Sequence, residues 1–127
     1  MDAPIVRIEG SATTSVAAMV ESIVGCKWSL RVLAAIRSGA TRPGEIERAC
    51  KGISTKVLNQ RLRKMQGFGV LSRESFHEIP PRDEYALTEF GNAFVGLLDE
   101  IQALDARVSS GEFPEIVGLV RGMTSLR

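Results

Sequence analysis

The chain has 127 residues, of which 44% are hydrophobic and 24% are charged, and this composition suits one globular domain with a single core. Its net charge of +1 does not by itself point to any class of partner. The sequence contains no run of about 18 apolar residues, which excludes a membrane-spanning helix, and residues 1–10 lack the features of a secretory signal. We therefore expect a single domain over residues 1–127 and a cytoplasmic location.

Residues with metal-binding or catalytic chemistry are few. Cys26 and Cys50 form neither a CxxC pair nor a zinc cluster, and His77 is the only histidine. No metal site and no cofactor are predicted, and both cysteines are expected to be core residues with inert thiols. Because the chain also lacks a nucleophile with a plausible base and a phosphate-binding glycine loop, we do not expect an enzyme.

Charge is segregated along the chain. Residues 27–73 contain 11 Lys or Arg and 2 Asp or Glu, whereas residues 74–127 contain 4 and 10, and residues 1–26 contain 1 and 3. A basic middle section can present a cationic face to a polyanion such as DNA. On charge alone, an ordinary solvated surface is the alternative interpretation.

Residues 1–14 are expected to form an arm before the first helix. Hydrophobic periodicity then predicts four helices, Ser15–Val24, Lys27–Arg37, Pro43–Cys50 and Ser54–Gln66. Thr41 is the expected cap of the third helix, Ser54 caps the fourth, and Gly67 is the expected left-handed residue that ends it. About four residues separate the third helix from the fourth, as in a helix-turn-helix.

Two strands, Val70–Phe76 and Asp83–Leu87, are predicted on either side of a Pro-Pro tip. A hairpin after a helix-turn-helix is the wing of a winged helix, so residues 15–87 form the predicted core. The fold class is mainly α with a small β-hairpin, a winged helix-turn-helix with additional N- and C-terminal dimerisation helices.

A long helix is predicted to begin at Thr88, and a last helix to run from Pro114 to Met123. The long helix carries a nearly continuous apolar stripe, Phe90, Phe94, Leu97, Leu98, Ile101, Leu104 and Val108. The small winged module cannot cover so long a stripe. We therefore expect residues 88–127 to supply dimerisation helices of a homodimer.

The fourth helix has two contrasting faces when its residues are spaced at about 100° each. Leu58, Leu62 and Met65 fall together on a core face, and the opposite face carries side chains that can all donate hydrogen bonds, Lys56, Asn59, Gln60, Arg63 and Lys64. Such groups can read guanine and adenine in the major groove. From Lys51 to Arg73 there are six cations and no acid, whereas a solvated helix face normally mixes both signs.

Two further arginines are candidate DNA contacts. Arg82 is placed at the hairpin tip, where it could enter a minor groove or meet a phosphate, although pairing with Asp83 or Glu84 is the alternative. Arg42 lies near the start of the third helix, which favours an anion. The predicted DNA-binding set comprises Arg42, Ser54, Thr55, Lys56, Asn59, Gln60, Arg63, Lys64 and Arg82.

The segment VGCKWSLRVLAAIRSGATRPGEIERACKGISTKVLNQRLRKMQGFGVLSRESFHEIPPRDEYALTEFG carries several ordered motifs, including a Lys-Trp helix, a Gly-Ile-Ser turn and a Pro-Pro-Arg wing. In these motifs residues 15–105 resemble the HxlR-type winged helix-turn-helix transcriptional regulators of bacteria and archaea. The resemblance implies a dimeric, sequence-specific regulator that binds double-stranded DNA at an operator, with a recognition helix at about 54–66 in the major groove. It implies contact of the wing, about 76–83, with the minor groove or backbone.

Two positions depart from the family pattern. Many members carry a sensing cysteine where this chain has Ser15, and an aromatic residue where it has Pro43. Redox sensing by that route is therefore not expected, and a small-molecule effector of unknown identity is left open. The alternative function is a winged-helix module that binds a protein partner without sequence-specific DNA binding.

Overall fold

The computed structural model describes residues 5–7 and 13–116 of the chain. The chain divides into two compact units, residues 1–94 and residues 95–127. Within the described part, no helix is long and apolar enough to cross a membrane. The expected fold class, mainly helical with one small hairpin wing, is confirmed. Among the described residues, helices α1 to α5 and a two-stranded wing follow a short pair of N-terminal strands.

The described residues of the predicted N-terminal arm form two short strands. Strand β1 (Ile5–Arg7) pairs antiparallel with β2 (Thr13–Ser15), with Ile5 opposite Ser15. Three-residue strands carry too little alternation to be recognised from sequence. Helix α1 (Val16–Val24) follows directly, and Ser15 precedes it as the N-cap, since its Oγ accepts a hydrogen bond from the Ala18 N–H at 3.1 Å.

Helix α2 (Lys27–Arg37) has the predicted bounds, and α3 (Pro43–Ala49) is one residue shorter than expected. The predicted cap of α3 is wrong, because Arg42 and not Thr41 occupies the N-cap position. Two backbone N–H groups at the start of α3 bind a side chain of the helix itself. Glu45 Oε1 accepts hydrogen bonds from the N–H groups of Thr41 at 3.0 Å and Arg42 at 3.1 Å.

Helix α4 (Thr55–Gly67) has the predicted cap, because the Ser54 Oγ accepts the Val57 N–H at 3.1 Å. The predicted end is wrong, since Gly67 still belongs to the helix and the left-handed residue is Gly69, with φ of 82°. Phe68, between the two glycines, is buried and extends the helical path. The Val70 N–H then closes the end by donating to the Met65 carbonyl at 3.0 Å.

The core of residues 13–94 lies between the helices and the wing. Helix α4 contacts α2, α3 and the first strand of the wing. The largest fully buried side chains of this core are Met19, Ile23, Val32, Leu33, Ile46, Cys50, Leu58, Leu62, Met65, Val70, Leu71 and Phe94. Trp28 is half-buried, and the cations of Lys27 and Arg31 lie 5.1 and 5.3 Å from the centre of its ring.

The wing consists of β3 (Leu71–Phe76) and β4 (Arg82–Leu87), paired antiparallel with Phe76 opposite Arg82. The predicted strands were each misplaced by one residue at their first position. The Tyr85 N–H donates to the Thr41 carbonyl at 2.8 Å, which joins β4 to the loop that leads into α3. The wing and the start of α3 are therefore fixed next to each other by the backbone.

Helix α5 (Glu89–Ser109) follows the wing. Its N-terminus is capped by Thr88, whose Oγ1 accepts the Gly91 N–H at 2.8 Å. Of the predicted apolar stripe, Phe94, Leu98 and Val108 are buried, whereas Leu97, Ile101 and Leu104 are 43%, 37% and 49% exposed. Residues 114–116 begin the predicted last helix, and the rest of it lies outside the described residues.

Candidate nucleic-acid interface

The outward face of α4 is a continuous polar surface. Leu58, Leu62 and Met65 are at most 1% exposed and hold the helix to the core. The side chains on the other face are all exposed, as predicted, and comprise Lys56, Asn59, Gln60, Arg63 and Lys64. No described acid forms an ion pair with any of these cations. Their donors are therefore available to an external acceptor.

The two residues at the start of α4 already have partners within the protein. Ser54 accepts the capping bond from Val57, and its own hydroxyl proton remains available for donation. The Thr55 Oγ1 donates to the Glu47 carboxylate, with distances of 3.2 and 3.4 Å to the two oxygens. Both residues are exposed and lie at the positive end of the helix dipole. This position suits an anion such as a phosphate.

Arg61 points away from the polar face of α4. It is half-buried, and its Nη1 donates to the Cys26 sulfur at 3.7 Å. Its Nε is buried and has no hydrogen-bond partner among the described residues. This contact gives Arg61 a structural role, because it joins α4 to the residue before α2.

Arg82 lies next to the turn of the wing, as predicted, and its side chain already has partners within the protein. It is the first residue of β4, and its side chain is only 27% exposed. Its guanidinium lies 4.0 Å from the centre of the Phe76 ring and forms ion pairs with Glu78 and with Glu84, the latter at 3.1 Å. The hydrogen bond to Glu78 raises the pKa of Arg82 above its ordinary value. The alternative expectation, that Arg82 pairs with a neighbouring acid, is confirmed for Glu84, and contact of Arg82 with DNA stays a prediction.

Residues of opposite charge meet between the wing and the start of α3. Arg42 is about half exposed, and its Nε lies 3.7 Å from the same Glu84 oxygen that Arg82 contacts. Both arginines line an open cleft of about 370 Å³, together with Pro43, Pro81 and Asp83. Asp83 does not pair with Arg82, because its carboxylate accepts the Ser75 hydroxyl at 2.7 Å.

Sequence reasoning named Glu84 as an alternative partner of Arg82 but missed Glu78. Glu84 follows Arg82 by two residues in a strand, so the two side chains share a face, and this spacing was a usable signal. Glu78 lies on the other side of the turn from Arg82. The contact depends on the shape of the turn, which the sequence pattern does not specify.

Known proteins resemble this chain in sequence and in fold. The family model described as HxlR-like helix-turn-helix matches residues 23–111. YtcD of Bacillus subtilis (strain 168), an uncharacterized HTH-type transcriptional regulator, is 36% identical over 92 residues, which are 72% of this chain and 72% of that protein. Residues 23–111, which the family model matches, contain α2, α3, α4 and the wing, the elements that carry the candidate interface.

Two solved structures have the same fold. A transcriptional regulator assigned to the MarR family from Enterococcus faecalis V583 has a TM-score of 0.69 and 34% identity, and the alignment covers 82% of this chain and 97% of that one. Diamide-treated YodB from Bacillus subtilis has a TM-score of 0.63 and 27% identity, with coverage of 76% and 90%.

Proposed function

Because the chain belongs to the HxlR-like helix-turn-helix family and is a transcriptional regulator rather than an enzyme, we propose that it binds double-stranded DNA sequence-specifically as a homodimer. Helix α4 enters the major groove, and the wing at residues 76–83 lies against the minor groove or the backbone. The observation that carries this proposal is the exposed face of α4, which holds donors and cations with no described acid paired to them.

Base reading is assigned to the middle of the α4 face. Lys56 and Arg63 can donate to guanine, and Asn59 and Gln60 can each form the two-bond contact with adenine. Lys64 is assigned to the backbone. Arg42, Ser54, Thr55 and Arg82 flank the reading face and suit phosphate contacts, which position the protein without reading sequence. A cytoplasmic location belongs to the same proposal, because a bacterial or archaeal operator lies there.

The homodimer is assigned to residues 88–127. Leu97, Ile101 and Leu104 recur at four- and three-residue steps on α5, so their exposed side chains lie on one face of the helix. Three large apolar side chains exposed together mark an interaction surface. A second copy is the simplest occupant, because a two-fold dimer presents two α4 helices to two half-sites of an operator.

The experiment is a selection from a pool of random DNA duplexes with purified full-length protein. We expect enrichment of an inverted repeat whose half-site centres are about one helical turn, 10 to 10.5 base pairs, apart. Affinity should fall steeply as salt rises, because phosphate contacts release counterions. The proposal would be contradicted if no sequence were enriched and the protein bound DNA no more tightly at low salt than at high salt. That result would favour the protein-interaction module.

A further inference from the structure

Arg42 and Arg82 already form ion pairs within the protein, whereas the cations on the polar face of α4 do not. A single oxygen of Glu84 lies 3.1 Å from Arg82 Nε and 3.7 Å from Arg42 Nε. Glu78 forms a further ion pair with Arg82. Lys56 and Arg63 on α4, in contrast, have no ion pair with any residue that the structure describes.

The Glu84 oxygen accepts a hydrogen bond from the Arg82 guanidinium and forms an ion pair with that of Arg42, as a DNA phosphate oxygen would in the same place. Arg42 and Arg82 are the cations that the proposed function assigns to the backbone outside α4. A phosphate that takes the place of Glu84 beside these arginines exchanges one ion pair for another. Such an exchange contributes less binding free energy than the pairing of a phosphate with a cation that has no partner in the free protein.

The glutamate is held in this position by its surroundings. The backbone bond from Tyr85 to Thr41 fixes β4 beside the loop that carries Arg42, and Glu84 is the neighbour of Tyr85 on that strand. The stacking of Arg82 on Phe76 orients the guanidinium. The Glu84 side chain is one-third exposed and that of Arg42 about half exposed, so the pair remains accessible to a ligand from solvent.

We propose that Glu84, assisted by Glu78, is an internal competitor for the DNA phosphate at the wing and sets the absolute affinity of the regulator for DNA. This inference rests on the proposed function. Because a phosphate contact carries no base information, the competition weakens binding to operator and non-operator DNA by the same factor. The preference for the operator then comes from α4, and the protein can still dissociate from non-specific DNA.

The test compares Glu84→Gln with Glu74→Gln in titrations of an operator duplex and a scrambled duplex. Glu74 lies directly opposite Glu84 in the hairpin, is exposed, and forms no ion pair with a described residue, so its substitution makes the same change of net charge in almost the same place. We expect Glu84→Gln to bind both duplexes about two- to fivefold more tightly, as for loss of an exposed ion pair. The control should gain less, and the operator preference should not change in either variant.

A double-mutant cycle separates ion-pair competition from general charge. In an Arg42→Ala/Arg82→Ala background, the gain from Glu84→Gln should disappear, because no cation remains to be released. An equal gain in that background, an equal gain from Glu74→Gln, or a gain confined to the operator would overturn the inference. Thermal melts check that every variant is folded.

The two proposals fail in different ways. If the parent prefers its operator and Glu84→Gln leaves affinity unchanged, only the internal competitor is rejected. If the parent binds no duplex, the proposed function is rejected, and the inference with it.

Discussion

The Nη1 atom of Arg61 donates a hydrogen bond to the Sγ atom of Cys26 at 3.7 Å, so a side chain of the helix assigned to DNA reading contacts the residue that caps α2. Burial alone would raise the pKa of the Cys26 thiol, but hydrogen bonds from Ser29 and Trp28 and the charge of Arg61 outweigh it and lower that pKa. Burial raises the pKa of the Cys50 thiol. The two thiols, expected to be alike from sequence, therefore differ.

We expect iodoacetamide to alkylate Cys26 first, at least about tenfold faster than Cys50 at neutral pH. The thiolate is the reacting form, and Cys50 is 1% exposed, so that it reacts only when the structure opens. As pH is raised, the reaction of Cys26 should begin below the ordinary thiol range. Peptide mass mapping over time measures both rates, and Cys26→Ser identifies the fast site. Faster labelling of Cys50 in the folded protein would contradict this assignment.

Gly91 fits where no other residue can. A β-carbon at this position would lie 2.1 Å from the Val70 carbonyl oxygen, which also accepts the Thr88 N–H at 3.1 Å. We expect Gly91→Ala to lower the free energy of unfolding by about 1–3 kcal/mol through overpacking. Gly96→Ala on the same helix is the control, because a β-carbon there meets nothing within 4 Å. It should be neutral or stabilising by up to about 1 kcal/mol. Urea denaturation that ranks the two variants equally would refute the close contact.

Glu45 should make stability depend on pH in the acidic range. Hydrogen bonds from the Arg42 and Thr41 N–H groups lower the pKa of its carboxyl below the ordinary 4.5. A carboxyl whose pKa is lower in the folded state than in the unfolded state stabilises the fold. This stabilisation is complete above the pKa of the unfolded state and is lost as the pH falls through the pKa of the folded state. Glu45→Gln should therefore be less stable than the parent at pH 7, and the difference should shrink below about pH 4.5. Thermal melts from pH 3 to 7 measure this, with exposed Glu100→Gln as control. A difference that does not change with pH would exclude the contribution.

The dimer proposal can be tested on the exposed face of α5. Leu104 is 49% exposed in the single chain, so Leu104→Glu should leave the protomer folded while placing a carboxylate in a dimer interface. Burying such an unpaired charge costs several kcal/mol, so we expect dissociation. Light scattering should give twice the 13.8 kDa chain mass for the parent at micromolar concentration, and the chain mass for the variant. Gln102→Glu adds the same charge at another exposed position of α5 and is expected to remain dimeric. A monomeric parent would reject the dimer.

The features that the sequence predicted well are those with strong local signals. The bounds of α2 and the Ser54 cap of α4 follow from periodicity and a capping hydroxyl, which need no tertiary information. The end of α4 was misplaced because Gly67 and Gly69 are equally suitable for a left-handed residue locally. The choice is made by the burial of Phe68, which is a tertiary contact.

The candidate site shows the same division. The polar face of α4 was predictable because a helix has a fixed angular repeat. The pairing of Arg82 with Glu84 was foreseen as an alternative. The contacts of Arg82 with Glu78 and of Arg42 with Glu84 were not, because they depend on the shape of the turn between β3 and β4 and on how close β4 lies to Arg42. The N-terminal hairpin was also missed, since pairing between two three-residue strands depends on contacts that a short sequence pattern does not encode.

The most direct test of the central claim, that the exposed face of α4 reads sequence, is the ratio of affinities for the selected operator and for a scrambled duplex. Gln60→Ala and Arg63→Ala should each lower the operator preference by about 1–3 kcal/mol, since both side chains are exposed opposite the core face and melts should show intact folding. Gln66→Ala, at an exposed position in the last turn of the same helix, should keep the preference of the parent. If Gln60→Ala and Arg63→Ala both bind and discriminate like the parent, the reading face is wrongly assigned.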